Sequence, residues 1–447
     1  MLENNLKKNI IYNKWILFIL LISFGLSFFY SFYYQIKPQV DARAYDIIAQ
    51  NIVNGNGYRE NLDVHIKNDI AIVRAGPIYE FFLAGIYKIF GHSYPAVWIL
   101  QAVLHAASAY LIYLICLLVF ADLENKKKIA LWGAAILGFY PDLIEISAML
   151  MTETLYIFLI CLFLYLFFLH MHNNKKITFI IFSVVFGLAV LTRPPVFFLI
   201  PVIFLYFFKK RQFIQILFFG IILIGVLAPW AIRNYYAYDK LMPFGAGGAY
   251  NFWIGNYSGG GGEQEPSPEA GSFFKNNSVV DSYEESTSQF KSFVLNYPGE
   301  FTKLTLLRVN KYFSILRPMG FWFYTSGWRQ ALFVLGSFIF SLAVFILSFG
   351  GILRSYKLNN IYIKYLLAFT IFTPLILFIT VVETRYRFQI YPFLAIFAAH
   401  YISLFELDKK LWFKNLLVPS IVILLIGLVD GLLNFNSFKD KIFSHFD

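Results

Sequence analysis

Residues 15–45 read WILFILLISFGLSFFYSFYYQIKPQVDARAY. From Trp15 to Ile36 there is no Asp, Glu, Lys or Arg, and the run is as long as the roughly 20 apolar residues a helix needs to cross about 30 Å of hydrocarbon. A few residues after it stands Asp41, and from Asp41 to Ile52 the residues Tyr45, Ile48, Ala49 and Ile52 recur on one helical face. The opening of the chain is thus read as a membrane span followed at once by an amphipathic helix headed by an acid. Lys7, Lys8 and Lys14 precede the span, and the run is too long for a cleaved signal peptide.

Composition extends this reading to the whole chain of 447 residues. Hydrophobic residues make up 59% and charged residues 14%, where soluble domains carry about 45–50% and about 25%. A net charge of +11 would point a soluble protein towards nucleic acid. Here the Lys and Arg residues gather in short loops between apolar runs, so nucleic acid is excluded as the partner. Cys116 and Cys161 lie inside such runs and read as small core residues.

Further apolar runs cover 95–120, 129–146, 151–171, 177–192, 195–208, 212–232, 329–351, 361–381, 388–406 and 412–434, giving about eleven spans with 15–36. Basic clusters fall in alternate loops at Lys126–Lys128, Lys175–Lys176, Lys209–Arg211, Arg354 with Lys357, and Lys409–Lys410. Positive charge marks the cytoplasmic side, which places the N-terminus inside. Two long segments, 37–94 and 233–328, then lie outside. Long loops of this kind are usually functional. Pro77 to Phe90 reads as a helix about 20 Å long, too short to span and suited to the interface. Pro298 to Arg317 reads as another. Gly259–Gly262 with Glu263, Glu265 and Glu269 reads as a flexible acidic stretch.

The informative charges are those on the outer side: Asp41, Arg74, Glu153, Arg193, Arg233, Glu383, Arg385 and Arg387. Each has an ordinary reading. Asp41 suits a helix N-cap, Glu153 the positive end of a helix dipole, and any one arginine an interfacial anchor. As a set, arginines at outer helix ends run against the positive-inside bias. Guanidinium groups bind phosphate in a fork geometry, so a site for an anionic lipid headgroup explains them together. Asp41 is then the candidate general base. Glu153 is the second acid, placed to orient an acceptor or to share a divalent metal with Asp41. No His/Cys/Asp cluster at metal spacing and no nucleophile motif is present. Asp142 and Glu145 read as surface residues, and Gln101 and His105 as interhelical hydrogen-bonding groups.

In this order the motifs resemble the GT-C superfamily of lipid-carrier glycosyltransferases, in its protein-mannosyltransferase-like and aminoarabinose-transferase-like branch. The matching pieces are Asp41-Ala-Arg-Ala-Tyr45, Gly55-Asn-Gly-Tyr58, Arg74-Ala-Gly-Pro77, Thr152-Glu153, Leu191-Thr-Arg193-Pro194, Pro229-Trp230 with Arg233-Asn234, Gly255-Asn256 and Arg385-Tyr-Arg387. The resemblance implies an all-α polytopic GT-C fold with interfacial helices in the outer loops. It implies that Asp41 acts as base on an acceptor hydroxyl, with inversion at the sugar, and that Glu153 is the second acidic position. Arg74, Arg193, Arg233, Arg385 and Arg387 are expected to hold the carrier phosphate, and Tyr45, Tyr58, Asn234, Asn256 and Glu383 to line the substrate site.

The expectation is therefore a single membrane domain over 1–447. It comprises the first span at 15–36, an outer catalytic loop at 37–94, spans two to seven within 95–232, an outer loop for acceptor or donor at 233–328, and the last four spans within 329–434. No soluble C-terminal domain is expected. The expected partners are a polyprenyl-phosphate-linked sugar, a lipid, glycan or protein acceptor, and the lipids of a bacterial plasma membrane. The alternatives are a flippase or transporter of a lipid-linked sugar, which would favour polar groups at the midplane and internal repeats, and an O-antigen ligase or polymerase.

Overall fold

The computed structural model describes residues 2–317, 328–405 and 409–435. Residues 318–327 of the expected outer segment 233–328 and the last residue of the expected span 388–406 lie outside the described residues. Among the described residues the fold is helical, and one isolated parallel bridge, Glu263 to Val382, is its β-type pairing. The helices are α1 (Leu2–Tyr34), α2 (Asp41–Val53), α3 (Pro77–Phe90), α4 (Tyr94–Val119), α5 (Lys126–Gly138), α6 (Pro141–Ser147), α7 (Thr152–Asn173), α8 (Lys176–Thr192), α9 (Ile200–Lys209) and α10 (Phe213–Tyr238). They continue as α11 (Gly247–Ile254), α12 (Pro268–Asn276), α13 (Val279–Asn296), α14 (Pro298–Phe313), α15 (Trp328–Ser355), α16 (Ile361–Phe372), α17 (Leu375–Ile379), α18 (Tyr391–Ser403) and α19 (Lys409–Leu433).

Among the described residues seven stretches are long and apolar enough to cross a membrane: Lys14–Tyr34, Tyr94–Val119, Thr152–Asn173, Phe213–Tyr238, Ala331–Ser355, Ile361–Ile379 and Trp412–Leu433. Each matches an expected span. The other four expected spans are shorter or broken. The run 129–146 bends by 54° between α5 and α6, where Pro141 cannot continue the hydrogen-bond ladder. Pro194 and Pro195 likewise open a 3-10 turn before α9. The run from 388 begins as a 3-10 turn, and α18 starts only at Tyr391.

Burial separates a lipid-facing shell from a protein core. Leu21 is 61% exposed, Ile224 68% and Leu428 56%, on α1, α10 and α19. Apolar faces of that extent are unstable in water but are ordinary in lipid. By contrast every residue from Tyr391 to Tyr401 is buried, which makes α18 the central post. Polar side chains lock the helices around it. Gln101 donates to the carbonyls of Ser147 and Met149 at 2.9 and 2.7 Å and accepts from Tyr79 at 2.9 Å, while His105 meets the Gly138 carbonyl at 3.0 Å. The expected interhelical roles of both residues are met.

The two long segments expected outside fold over one end of this bundle. Helices at Asp41–Val53 and Pro77–Phe90 agree with expectation, and the third ends at Phe313 rather than Arg317. Two glycines fix how the segments seat. A Cβ on Gly76 would lie 2.1 Å from the Leu191 carbonyl oxygen, and one on Gly255 would lie 1.9 Å from that of Thr380. Backbone passes backbone at both points, bringing Arg74 to the end of α8 and the α11 end to the turn that carries Arg385. The acidic stretch expected to be flexible is pinned instead. Glu263 accepts from Lys311 at 2.6 Å and from Arg317 at 2.8 Å, and the Val382 amide donates to the Gly262 carbonyl at 3.1 Å.

Gly76→Ala and Gly255→Ala should each lower the melting temperature of the detergent-solubilised protein, since relieving such overlap costs about 1–3 kcal/mol or more. Gly85→Ala, in α3 with open space around the added Cβ, should melt at or above wild type. Equal melting of all three would remove the close-approach argument.

Candidate active site

Asp41 is the first residue of α2, and the capping position is taken by Val40, whose side chain provides no cap. Val40 has φ 47°, a left-handed backbone that β-branched residues rarely adopt. Strain of this kind gathers at functional sites. The Asp41 side chain is thereby not a helix cap. Its Oδ1 accepts from Arg74 Nη1 at 3.0 Å and its Oδ2 from Arg385 Nη2 at 2.9 Å. Each arginine is held from behind by another acid. Arg74 forks onto Glu60 at 2.8 and 2.6 Å, and Arg385 Nε donates to Glu383 at 2.6 Å. Burial pushes the Asp41 carboxyl up, but the guanidiniums of Arg385 and Arg74 outweigh it and hold the group below the usual carboxylate range.

A second acid–arginine pair sits beside the first. Glu153, in the first turn of α7, meets Arg193 Nη1 at 2.6 Å and accepts from the Thr152 hydroxyl at 3.0 Å. Arg193 closes α8 because Pro194 follows it. Its guanidinium lies 5.4 Å from the centre of the Tyr386 ring, and that of Arg385 lies 5.5 Å from the same ring. One aromatic face thus serves two cations. Tyr45, one turn along α2 from Asp41, is buried and packs edge-on to Tyr79 at 5.6 Å. Burial, then the Asp41 charge, keeps its phenol protonated far above the ordinary range. Asp41, Arg74, Glu153, Arg193, Glu383, Arg385 and Tyr45 are therefore brought together from five separate segments.

Arg233 stands to one side, at the head of a groove of about 600 Å³ whose walls include Ile52, Ile78, Phe81, Leu191, Val226 and Trp230. It donates to the Tyr58 carbonyl at 2.7 Å and to Asn234 at 3.2 Å, with the Trp230, Tyr58 and Tyr238 rings within 5.3–5.6 Å. Tyr58 and Arg59 also line the groove, and Glu60, the next residue, grips Arg74. The segment 58–60 therefore connects an apolar groove of ligand size to the Asp41 cluster.

One expected phosphate-binding residue, Arg387, and two expected substrate-site residues, Asn256 and Asn234, make bonds to the protein itself. Arg387 is buried and donates to the Ser314 carbonyl at 2.7 Å. Asn256 donates to the Phe252 and Ile379 carbonyls at 2.8 and 3.1 Å and accepts from Arg308 at 2.8 Å. Asn234 donates to the Met242 carbonyl at 2.8 Å. Asp142 and Glu145, expected on the surface, are 1% and 2% exposed, because α6 folds inward after Pro141. Asp142 accepts from Ser337 and, at 3.1 Å, from Tyr391. Asp41 and Glu153 each face guanidinium in this structure. Among the described residues no group of three His, Cys, Asp or Glu could hold an ion. Glu60, Glu263, Lys311 and Arg317 were not singled out by sequence as site residues. Their partners lie 14 to 113 residues away, and no local pattern signals them.

Fold and site together define a polytopic helical membrane protein with an acid–arginine centre at one end of the bundle. Residues 74–232 match the family model described as dolichyl-phosphate-mannose-protein mannosyltransferase. The structure resembles the Archaeoglobus fulgidus oligosaccharyltransferase in complex with Zn and sulfate, at 16% identity and a TM-score of 0.52, over 92% of this chain and 51% of that one. The apo form of that enzyme gives 14% identity and 0.53, over 96% and 56%. ArnT from Cupriavidus metallidurans bound to undecaprenyl phosphate gives 13% identity and 0.51, over 94% and 64%. The chain shares the fold of these proteins, the all-helical GT-C fold that its motifs predict, and spans 51–64% of their length. No curated protein sequence matches it.

The buried Glu153–Arg193 pair joins the α7 start to the α8 end. Removing one partner leaves a buried charge uncompensated, a loss of about 3–5 kcal/mol. Glu153→Ala should therefore melt well below wild type, while Glu153→Gln combined with Arg193→Gln should recover most of the loss. Thermal unfolding in detergent checks this, and a single variant as stable as wild type would show that the pair does not clamp the two helices.

Proposed function

We propose that this protein is a glycosyltransferase that moves a sugar from a polyprenyl-phosphate carrier to an acceptor hydroxyl at the outer face of a bacterial plasma membrane. The observation that carries the reading is the Asp41 carboxylate held by Arg74 and Arg385, at 3.0 and 2.9 Å, beside an apolar groove headed by Arg233. Isoprenoid chain suits the groove, and phosphate suits the guanidiniums. The ArnT structure that shares the fold carries undecaprenyl phosphate.

In the proposed reaction Asp41 takes the proton of the acceptor hydroxyl as its oxygen bonds to the anomeric carbon. The bond from that carbon to the carrier phosphate oxygen breaks, and the phosphate leaves with the electron pair. Attack from the face opposite the leaving group inverts the anomeric configuration. A positioned base contributes about 10²–10⁴-fold. Guanidiniums aimed at the departing phosphate stabilise the charge that grows there. A carboxylate locked to two arginines is a weak base. An arriving phosphate competes for Arg74 and Arg385, so donor binding itself raises the basicity of Asp41. Arg193 and Arg233 are further contacts for the phosphate, Glu153 sets Arg193, and Tyr45, Tyr58 and Glu383 shape the surrounding surface.

Charge supports this sidedness. Lys126–Lys128, Lys175–Lys176 and Lys209–Arg211 lie at the helix ends remote in sequence order from the site ends of α4, α7, α8 and α10, a pattern that favours the cytoplasm for them and the outside for the cluster. A transporter of the same lipid would place its polar groups near the midplane, whereas this cluster sits at helix ends.

The test is release of free polyprenyl phosphate by nanodisc-embedded protein offered a panel of polyprenyl-phosphate sugars with membrane-extracted acceptors. Wild type should release it, and Asp41→Asn should fall by at least about 10²-fold while remaining folded. Near-normal turnover by Asp41→Asn would remove Asp41 as the base. Movement of the lipid across the bilayer without release would replace the transferase by a flippase.

A further inference from the structure

A second cavity, of about 200 Å³, has Glu263, Gln264, Glu265, Lys311, Arg317 and Glu383 in its wall, and Glu383 in turn holds Arg385. At about 30 Å³ per water, it holds roughly six waters, the space of one sugar ring. Its floor is rigid. Lys311 Nζ and Arg317 Nη1 both donate to Glu263 Oε1, at 2.6 and 2.8 Å, and Arg317 also forks onto Asp430 at 2.7 and 3.0 Å. Two cations and two carboxylates cancel there. Burial lowers the Lys311 ammonium from its ordinary value, against the opposing pull of Glu263.

The charge pattern selects the ligand class. A phosphate or carboxylate entering this cavity would meet cations already neutralised, with Glu265 and Glu383 beside it. An apolar side chain would find Val382 as its apolar neighbour among the described residues. A polyhydroxylated neutral ring fits best, because its hydroxyls donate to carboxylates and accept from amide and ammonium N–H groups at once. Gln264 is already oriented by the Tyr386 hydroxyl at 2.9 Å. The cavity also reaches the reaction centre through one group. Glu383 takes Arg385 Nε at 2.6 Å, and the same guanidinium donates to Asp41 at 2.9 Å. The apolar groove connects to Asp41 through Glu60 and Arg74.

We propose that this cavity is the acceptor subsite and that it takes a neutral sugar residue, so that the enzyme extends a glycan and does not modify a peptide. The proposal rests on the transferase reading for the word acceptor, and on the cavity alone for the binding of a sugar.

Binding is read without donor, by saturation-transfer NMR of methyl hexosides and pentosides against the full chain in nanodiscs. At least one glycoside should give a signal with wild type. Gln264→Trp, which fills the cavity, should abolish it, and Glu265→Gln should weaken it by about tenfold, as expected for loss of a hydrogen bond to a charged group. Binding of polyprenyl phosphate by both variants serves as the folding control and should be unchanged. Absence of any glycoside signal with wild type, or signals unaffected by Gln264→Trp, would overturn the proposal. Binding of Ser/Thr peptides that Gln264→Trp abolishes would assign the cavity to a peptide and overturn it too. Carrier release measured in parallel separates the two readings. Release without glycoside binding sinks the subsite alone, and glycoside binding without release by any donor sinks the transferase alone.

Discussion

The Asp41 carboxylate bridges two guanidiniums contributed by chain segments more than 300 residues apart. At a bilayer edge a half-buried acid is expensive unless it is paired. The pairing therefore ties the segment that follows α1 to the turn before α18, the most buried helix among the described residues. Other features of this end serve that junction. Gly76 lets the Arg74 segment lie on the backbone of α8, Gly255 seats the second long segment on the Thr380 carbonyl, and the left-handed backbone at Val40 turns Asp41 away from its own helix. Glu60 and Glu383 hold the arginines from behind, so each cation is oriented before any ligand arrives.

Arginines at this end fall into two groups. Arg308 and Arg387 are buried and donate to backbone carbonyls, such as Phe378 at 3.0 Å and Ser314 at 2.7 Å. They close gaps where helices stop and carbonyls lack partners. Arg74, Arg193 and Arg385 instead face acids, and Arg233 faces aromatic rings and a groove. Those environments leave a cation able to exchange one anion for another. The chemistry proposed for this site needs that property, because the leaving phosphate and the base want the same partners at different moments.

Much of this was legible in the sequence, for identifiable reasons. Lipid imposes long apolar runs, so among the described residues seven helices long and apolar enough to cross a membrane fall where hydropathy puts them. Arginines at helix ends expected outside run against the charge bias of topology, which singled out Arg193, Arg233 and Arg385 in the sequence, and the structure gathers Arg193 and Arg385 beside acids. The sequence could not separate Arg387 from Arg385, two residues away, because the difference lies in which side of a 3-10 turn each faces. It misjudged Asp142 and Glu145 because a bend at Pro141 turns an apparent loop edge into core. It took Glu263 for part of a flexible stretch because the cations that hold it, Lys311 and Arg317, lie about 50 residues on, in an unrelated helix and its end. Local pattern carries spans and caps, while ion pairs between distant segments have no local trace.

In the proposed mechanism Arg74 and Arg385 serve the carboxylate in the resting protein and the phosphate in the loaded one. The most direct test is the affinity of the full chain in nanodiscs for polyprenyl phosphate, compared between wild type and Asp41→Asn by titration calorimetry. If the arginines exchange partners, removing the competing charge should tighten binding several-fold. Unchanged or weaker binding would contradict the account and assign the phosphate to groups that never touch Asp41.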